Sequence, residues 1–148
     1  MSCEVRVLAP HEAAVLERVA PGVFDNEVDP QLTAEFFADP RHHLAVAIED
    51  GVVVGMASAI HYLNPDKPPQ LFINEVGVAP SHQGRGFGRQ LVETLVRLAT
   101  ELQCTEAWVL TDSSNVVAQR IYEGAGGETP PAQCIMYTIR IVPAVVGD

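Results

Sequence analysis

Val76-Gly77-Val78-Ala79-Pro80-Ser81-His82-Gln83-Gly84-Arg85-Gly86-Phe87-Gly88-Arg89 is the stretch on which the fold turns. Three glycines, Gly84, Gly86 and Gly88, alternate where an extended run from Leu71 to Val78, stopped by Pro80, gives way to a helical pattern. Beyond Gly88, Leu91, Leu95, Leu98 and Leu102 recur at spacings of four, three and four, one apolar stripe on a helix. Glycine has no Cβ, so the N–H groups of residues 84 to 88 can curl around an anion while the helix behind them directs the positive end of its dipole there. The spacing excludes the two common nucleotide loops. Counting from Gly84, the sixth position is Arg89 and not the glycine of a dinucleotide fingerprint, and no Gly-Lys-Ser/Thr follows.

Outward from that turn, the pattern reads as one continuous unit, a single domain over residues 1–148 without repeat or low-complexity linker. Val5 to Leu8 reads as a strand and Glu12 to Ala20 as a helix, with Ala13, Leu16, Val19 and Ala20 at helical spacing. A short helix follows Pro30, with Leu32 and Phe36 on one face, and Pro21 to Asp29 is a loop carrying three carboxylates. Leu44 to Ile48 and Val52 to Ile60 form a hairpin around Asp50-Gly51. Pro65, Pro68 and Pro69 make Tyr62 to Gln70 a loop. Ala107 to Thr111 reads as a buried strand, Asn115 to Glu123 as a helix ending at Gly124, and Ile135 to Ile141 as a final strand. The order β-α-α-β-β-β-α-β-α-β is mixed α/β, antiparallel in its first half and joined by a strand-helix-strand crossover in its second.

The 148 residues carry a net charge of −10, which argues against a duplex nucleic-acid reader or a binder of anionic membranes and favours a cationic partner. The first fifty residues hold ten acids and three bases, so seven of those charges lie there. Cys3, Cys104 and Cys134 are odd in number and lack C-x-x-C spacing, so neither a disulfide framework nor a structural zinc site is expected. Reduced thiols and the absence of a signal-like start in Met1 to Pro10 point to the cytoplasm. No apolar run approaches the roughly 18 residues of a membrane span. His42 and His43 are adjacent, so on a strand they point oppositely and no metal site is expected.

Gln83-x-x-Gly86-x-Gly88 resembles the acyl-CoA pyrophosphate loop of the GCN5-related N-acetyltransferase superfamily. Asn115-Val116-Val117-Ala118-Gln119-Arg120-Ile121-Tyr122 is similar to the second signature of that superfamily, an Asn, an Ala three residues on and a Tyr on the next turn. Asn115, Ala118 and Tyr122 share a helical face. One departure is Gly126-Gly127 followed by Pro130-Pro131, where the family commonly has Gly-Phe. The resemblance covers roughly residues 5 to 141 and implies a mixed central sheet of six to seven strands flanked by about four helices. Glu75-Val76-Gly77-Val78 and Asp112 add a narrower likeness to the aminoglycoside 3-N-acetyltransferase branch.

The resemblance implies an acetyl-CoA-dependent N-acetyltransferase that moves acetyl directly to a primary amine in a sequential ternary complex, without a metal. Val76 and Val78 would meet the pantetheine arm, and Gln83, Gly84, Arg85, Gly86, Phe87, Gly88 and Arg89 would surround the pyrophosphate. Arg85 and Arg89 either contact phosphate or stay solvated, and Asn115 either bonds the pantetheine beside Ala118 or caps its helix. Glu75 is the base candidate: partial burial in an apolar strand would raise its pKa towards neutrality. Strict alternation would put it on one face with Leu71, Ile73 and Gly77. Tyr122 is the acid candidate, able to protonate a leaving thiolate. Cys104, in a core position, is not expected to act as an acyl carrier. Asp25, Glu27, Asp29, Asp66 and Asp112, with Glu75, are candidates to hold a small-molecule polyamine such as an aminoglycoside. The alternatives are a protein or peptide N-acetyltransferase and a non-catalytic acyl-CoA-binding module. The resemblance also allows a homodimer joined along the final strand.

Overall fold

The computed structural model describes residues 3–142, so both ends of the expected domain lie outside the described residues. Five strands form one sheet in the order β1 to β5: β1 (Cys3–Val7), β2 (His42–Glu49), β3 (Val52–Asn64), β4 (Lys67–Val78) and β5 (Glu106–Val109). Three α-helices accompany it: α1 (Pro30–Ala38), α2 (Phe87–Glu101) and α3 (Val116–Gly124). The first four strands pair antiparallel, and the α2 crossover brings β5 in parallel to β4. The expected helix over Glu12 to Ala20 is a 3-10 segment, Pro10–Glu17, kinked at Glu12. At its start the Glu12 carboxylate caps the segment, accepting from the Ala9 N–H at 2.9 Å, and also accepts from Arg6 at 2.7 Å.

The β2–β3 hairpin turns at Asp50 and Gly51, with φ of +50° and +79°, the left-handed pair that matches strand twist. The next hairpin corrects the sequence reading. Tyr62 to Gln70 is no loop: Tyr62 pairs with Gln70 and Asn64 with Lys67, leaving only Pro65 and Asp66 between the strands. A register slip beside Leu63 takes up Pro68 and Pro69, whose missing N–H groups are tolerated in such an irregularity.

A second slip decides where the site lies. Ser58 pairs with Glu75 but Ala59 pairs with Ile73, so Asn74 is an extra residue on β4. Such a bulge reverses the in-out alternation beyond it. Leu71 and Ile73 pack with Ala45, Ala47, Ala57 and Ala59 under the α2 residues Leu91 and Leu95. Glu75 and Gly77 are turned to the opposite face, where Met56, Val46 and Leu44 pack with Leu16, Val23 and Phe36. The expected common face of Leu71, Ile73, Glu75 and Gly77 is therefore wrong.

The last third of the chain also departs from expectation. β5 has four residues and is largely exposed, with Trp108 at 39%, so the buried strand expected from Ala107 to Thr111 is not found. Ile135 to Ile141 joins no sheet, and the described sheet has five strands instead of six to seven. The apolar side chains of both segments are largely exposed, and among the described residues no sixth strand covers the outer edge of β5.

Candidate active site

Asp29 fixes the acidic side of the site by capping α1: its side chain accepts from the Leu32 N–H at 2.8 Å, an interaction short acidic residues favour at this position. The loop before it, residues 21–28, is pressed against β4 at Gly77, where any Cβ would run into the Val23 carbonyl. Between this loop, α1 and the sheet lies a cavity of about 340 Å³. Asp25, Glu27, Asp29 and Glu75 line it together with Asn74 and Ser58, and Phe24, Phe36 and Phe37 are among the apolar walls. A larger cavity of about 770 Å³ shares Asp25, Glu27 and Phe24 but runs towards the 3-10 segment and lacks Glu75.

Three of the five candidate loop carboxylates thus meet Glu75 in one cleft. The other two do not: Asp66 pairs with Lys67 at 2.8 Å on the tip of the β3–β4 hairpin, and neither it nor Asp112 lines the cavity. Glu75 itself is exposed to the cleft, so the partial burial expected of it is absent. Asn74 carried no readable signal, because it is the extra residue of a bulge that alternation does not reveal, whereas Ser58 reaches the cleft by ordinary alternation of β3 on the face of Met56.

At the end of β4 the chain opens. β5 follows β4 only as far as Ile73 and Val109, so from Asn74 to Val78 the edge away from β3 has no strand partner among the described residues. Val76 and Val78 lie on this free stretch, and the Gln83 side-chain amide donates to the Val78 carbonyl at 3.2 Å, tying the following loop to the strand end. Gly84 and Gly86 adopt φ of +76° and +85°, and Gly86 caps α2. A Cβ on Gly84 would meet nothing within 4 Å and one on Gly86 only the Gln90 amide at 3.9 Å, so the cradle is open. The first N–H groups of α2 have no carbonyl one turn behind them and face that opening as donors. An anionic diphosphate fits this arrangement.

Several loop residues also have structural duties. Gly88 is small because α3 approaches: a Cβ there would lie 2.9 Å from Ile121 Cδ1. The Phe87 ring is buried in the core, leaving its backbone for the cradle. Arg85 is drawn to Glu49, 3.0 Å away, and stacks over Phe87; Arg89 bonds Glu93 at 2.7 Å and the Gly124 carbonyl at 3.2 Å. Glu49 also accepts from His82 at 3.1 Å, and the His82 bond, followed by the Arg85 charge, holds its carboxyl below the usual range. This long-range partner was invisible in the sequence. Asn115 caps α3, accepting from the Ala118 N–H at 3.0 Å, so the capping alternative is the one observed.

Tyr122 is half-buried on α3 against the α2 side of the core, and burial pushes its phenol above the ordinary value. Burial likewise raises the Cys104 thiol. Among the described residues no His, Cys, Asp or Glu cluster is placed to hold a metal, and no helix is long and apolar enough to cross a membrane.

Comparison with known proteins identifies the family. The acetyltransferase (GNAT) family model matches residues 12–126. The aminoglycoside N(6')-acetyltransferase type 1 of Salmonella typhimurium is 34% identical over 92 residues, 58% of this chain and 63% of that protein, so the match spans under two thirds of the relative's length. The N-alpha-acetyltransferase RimI of Mycobacterium tuberculosis is 36% identical over 74 residues, 48% of this chain and 46% of the relative. Among solved structures, an aminoglycoside N-acetyltransferase in complex with CoA is 25% identical with a TM-score of 0.69, covering 95% of this chain and 96% of its own. The aminoglycoside relatives whose position is named act at 6' and not at the 3-N position of the narrower likeness.

Proposed function

Because the chain belongs to the acetyltransferase (GNAT) family, we propose that it moves acetyl from acetyl-CoA to a primary amine of a cationic small molecule. The observation that carries this reading is that Asp25, Glu27, Asp29 and Glu75 line one cleft, next to the open edge of β4. Carboxylates fixed around a cavity attract ammonium groups and order them before reaction.

In this reading the cradle from Gly84 to Gly88 holds the diphosphate of acetyl-CoA, and the free edge at Val76 and Val78 receives the pantetheine. Glu75, open to the cleft, accepts a proton from the bound ammonium, directly or through one water. The freed nitrogen forms the C–N bond at the thioester carbonyl. The Val76 N–H donates to the oxygen that becomes negative, and the C–S bond then breaks. Tyr122, kept protonated by burial, delivers its proton to the departing thiolate, and the extra proton on the new amide nitrogen passes through water to restore the Tyr122 phenol. Transfer is direct within a ternary complex, since burial keeps Cys104 a thiol and not a nucleophilic thiolate. Free Cys3, Cys104 and Cys134 suit the reducing cytoplasm.

An aminoglycoside is the preferred acceptor, supported by the cluster of carboxylates and by the aminoglycoside relatives. The RimI likeness favours a peptide amine as the second reading. A thiol-release screen with acetyl-CoA separates the two. Release with aminoglycosides or linear polyamines, and competitive inhibition between them, supports the first. Release with peptides alone transfers the assignment to the second, and no release with any amine leaves a non-catalytic binding module.

A further inference from the structure

Gly84 and Gly86 open the cradle, and the same lack of a side chain makes that loop costly to order. Glycine gives up more backbone freedom than any other residue, so an anion that had to order the loop by itself would lose affinity in doing so. The loop is instead held from both sides of each glycine. His82 is tied to Glu49, Gln83 to the Val78 carbonyl at 3.2 Å, Arg85 to Glu49 and over the Phe87 ring, and Phe87 is buried in the core. Among the described residues, Glu49 is the one hydrogen-bonding partner in this set that comes from outside the β4–α2 segment. It closes β2, just before the Asp50-Gly51 turn, and each of its oxygens takes one loop residue. Oε1 lies 3.1 Å from His82 Nε2, and Oε2 accepts from Arg85 Nη2 at 3.0 Å. An ionised carboxylate only accepts, so His82 Nε2 carries the hydrogen, while Nδ1 lies 2.7 Å from Ser81 Oγ. The side chains of Glu49 and His82 are 13% and 16% exposed, so water screens their bond weakly, whereas Arg85 stays at the rim.

We propose that Glu49 is a positioning residue for the coenzyme: through His82 and Arg85 it braces the glycine loop in the shape that receives an anion, without itself touching the coenzyme or the reacting atoms. This rests on the reading that the cradle takes the diphosphate of acetyl-CoA, and it adds the residue that prepares the cradle beforehand. Glu49 does not line the cleft that holds Glu75, so its influence falls on coenzyme binding and not on the amine or the transfer step. The brace also explains a residue that no local pattern marks. Glu49 stands thirty-three residues from His82 and thirty-six from Arg85, and only the fold brings the end of β2 beside the start of α2.

Glu49→Ala frees both side chains that the brace holds. Its calorimetric Kd and its KM for acetyl-CoA should rise roughly ten- to a hundredfold, while kcat at saturating acetyl-CoA and KM for the amine stay within about twofold. Glu49→Gln keeps one acceptor oxygen and should fall between the parent and Glu49→Ala. Amide hydrogen exchange of the coenzyme-free proteins should be faster over residues 80–88 in Glu49→Ala and unchanged over β3. If Glu49→Ala does not fold, His82→Ala removes the less exposed of the two ties and is held to the same outcomes. A folded variant that binds acetyl-CoA as the parent does, or more tightly because Arg85 is released to it, overturns the brace. So does a fall in kcat that matches the rise in KM, or exchange that quickens evenly over the sheet. Should the parent bind no acetyl-CoA, the reading of the cradle fails; exchange faster only over 80–88 would still support the brace, and unchanged exchange would overturn it.

Discussion

Gly77→Ala tests how the acidic loop is held against β4. The added methyl would lie on the Val23 carbonyl oxygen, 3.3 Å from the Val23 carbonyl carbon and 3.5 Å from Met56 Cε. Its main obstacle is backbone, which no rotamer change can move aside. The strand and the loop must part by on the order of 1 Å, and misplacement of that size commonly costs about a hundredfold in rate. Overpacking of this kind also destabilises by about 1–3 kcal/mol. The diphosphate cradle lies beyond the clash while Val76 and Val78 flank it, so calorimetry should still find acetyl-CoA bound by Gly77→Ala, with an affinity loss smaller than the loss in rate. Thiol-release kinetics should show kcat/KM for the amine down roughly a hundredfold. A folded variant with unchanged kcat/KM would refute the claim that loop 21–29 and β4 together form the acceptor site.

Glu75→Gln keeps the shape of the cleft but removes the proton acceptor, and kcat should fall about 10²–10⁴-fold, with acetyl-CoA affinity intact by calorimetry. Tyr122→Phe should lower kcat at least about tenfold while leaving acetyl-CoA affinity nearly constant; equal loss of both would remove its role as acid. His43 sets a stability window. Burial first, then the neighbouring His61 and His42 charges, lower its pKa from 6.5 to about 4, and its Nε2 lies 2.7 Å from His61 Nδ1. The unfolded chain therefore binds the proton more readily, so stability is full above pH 6.5 and is lost as pH falls towards about 4. Denaturant titrations across that range should show the loss, and His43→Asn should reduce its slope.

The α2 stripe and the glycine cradle were legible because each is local. Leucines at helical spacing need no distant partner to be read, and a positive φ at Gly84 and Gly86 is a property of the turn itself. The orientation of Glu75 was not legible. Alternation assumes an unbroken register, and the extra residue at Asn74 reverses it by an amount only the pairing with β3 reveals. The protein partners of Arg85 and Arg89 were not legible, since Glu49 lies thirty-six residues from Arg85 and Gly124 thirty-five from Arg89. Proline misled at Pro68 and Pro69, where a register slip admits them into a strand. The final segment shows the converse: residues 135–141 have a strand pattern, but a pattern does not name the edge that receives it.

Titration calorimetry with acetyl-CoA on the parent chain and on Gly86→Val puts the central claim under the most direct strain. Gly86 stands at φ +85° in the open mouth of the cradle, where a β-branched side chain both strains the backbone and fills the space beside the N–H donors. The account predicts one acetyl-CoA per parent chain and at least about a hundredfold weaker binding by a folded Gly86→Val. Equal binding by both proteins, or none by the parent, would contradict it.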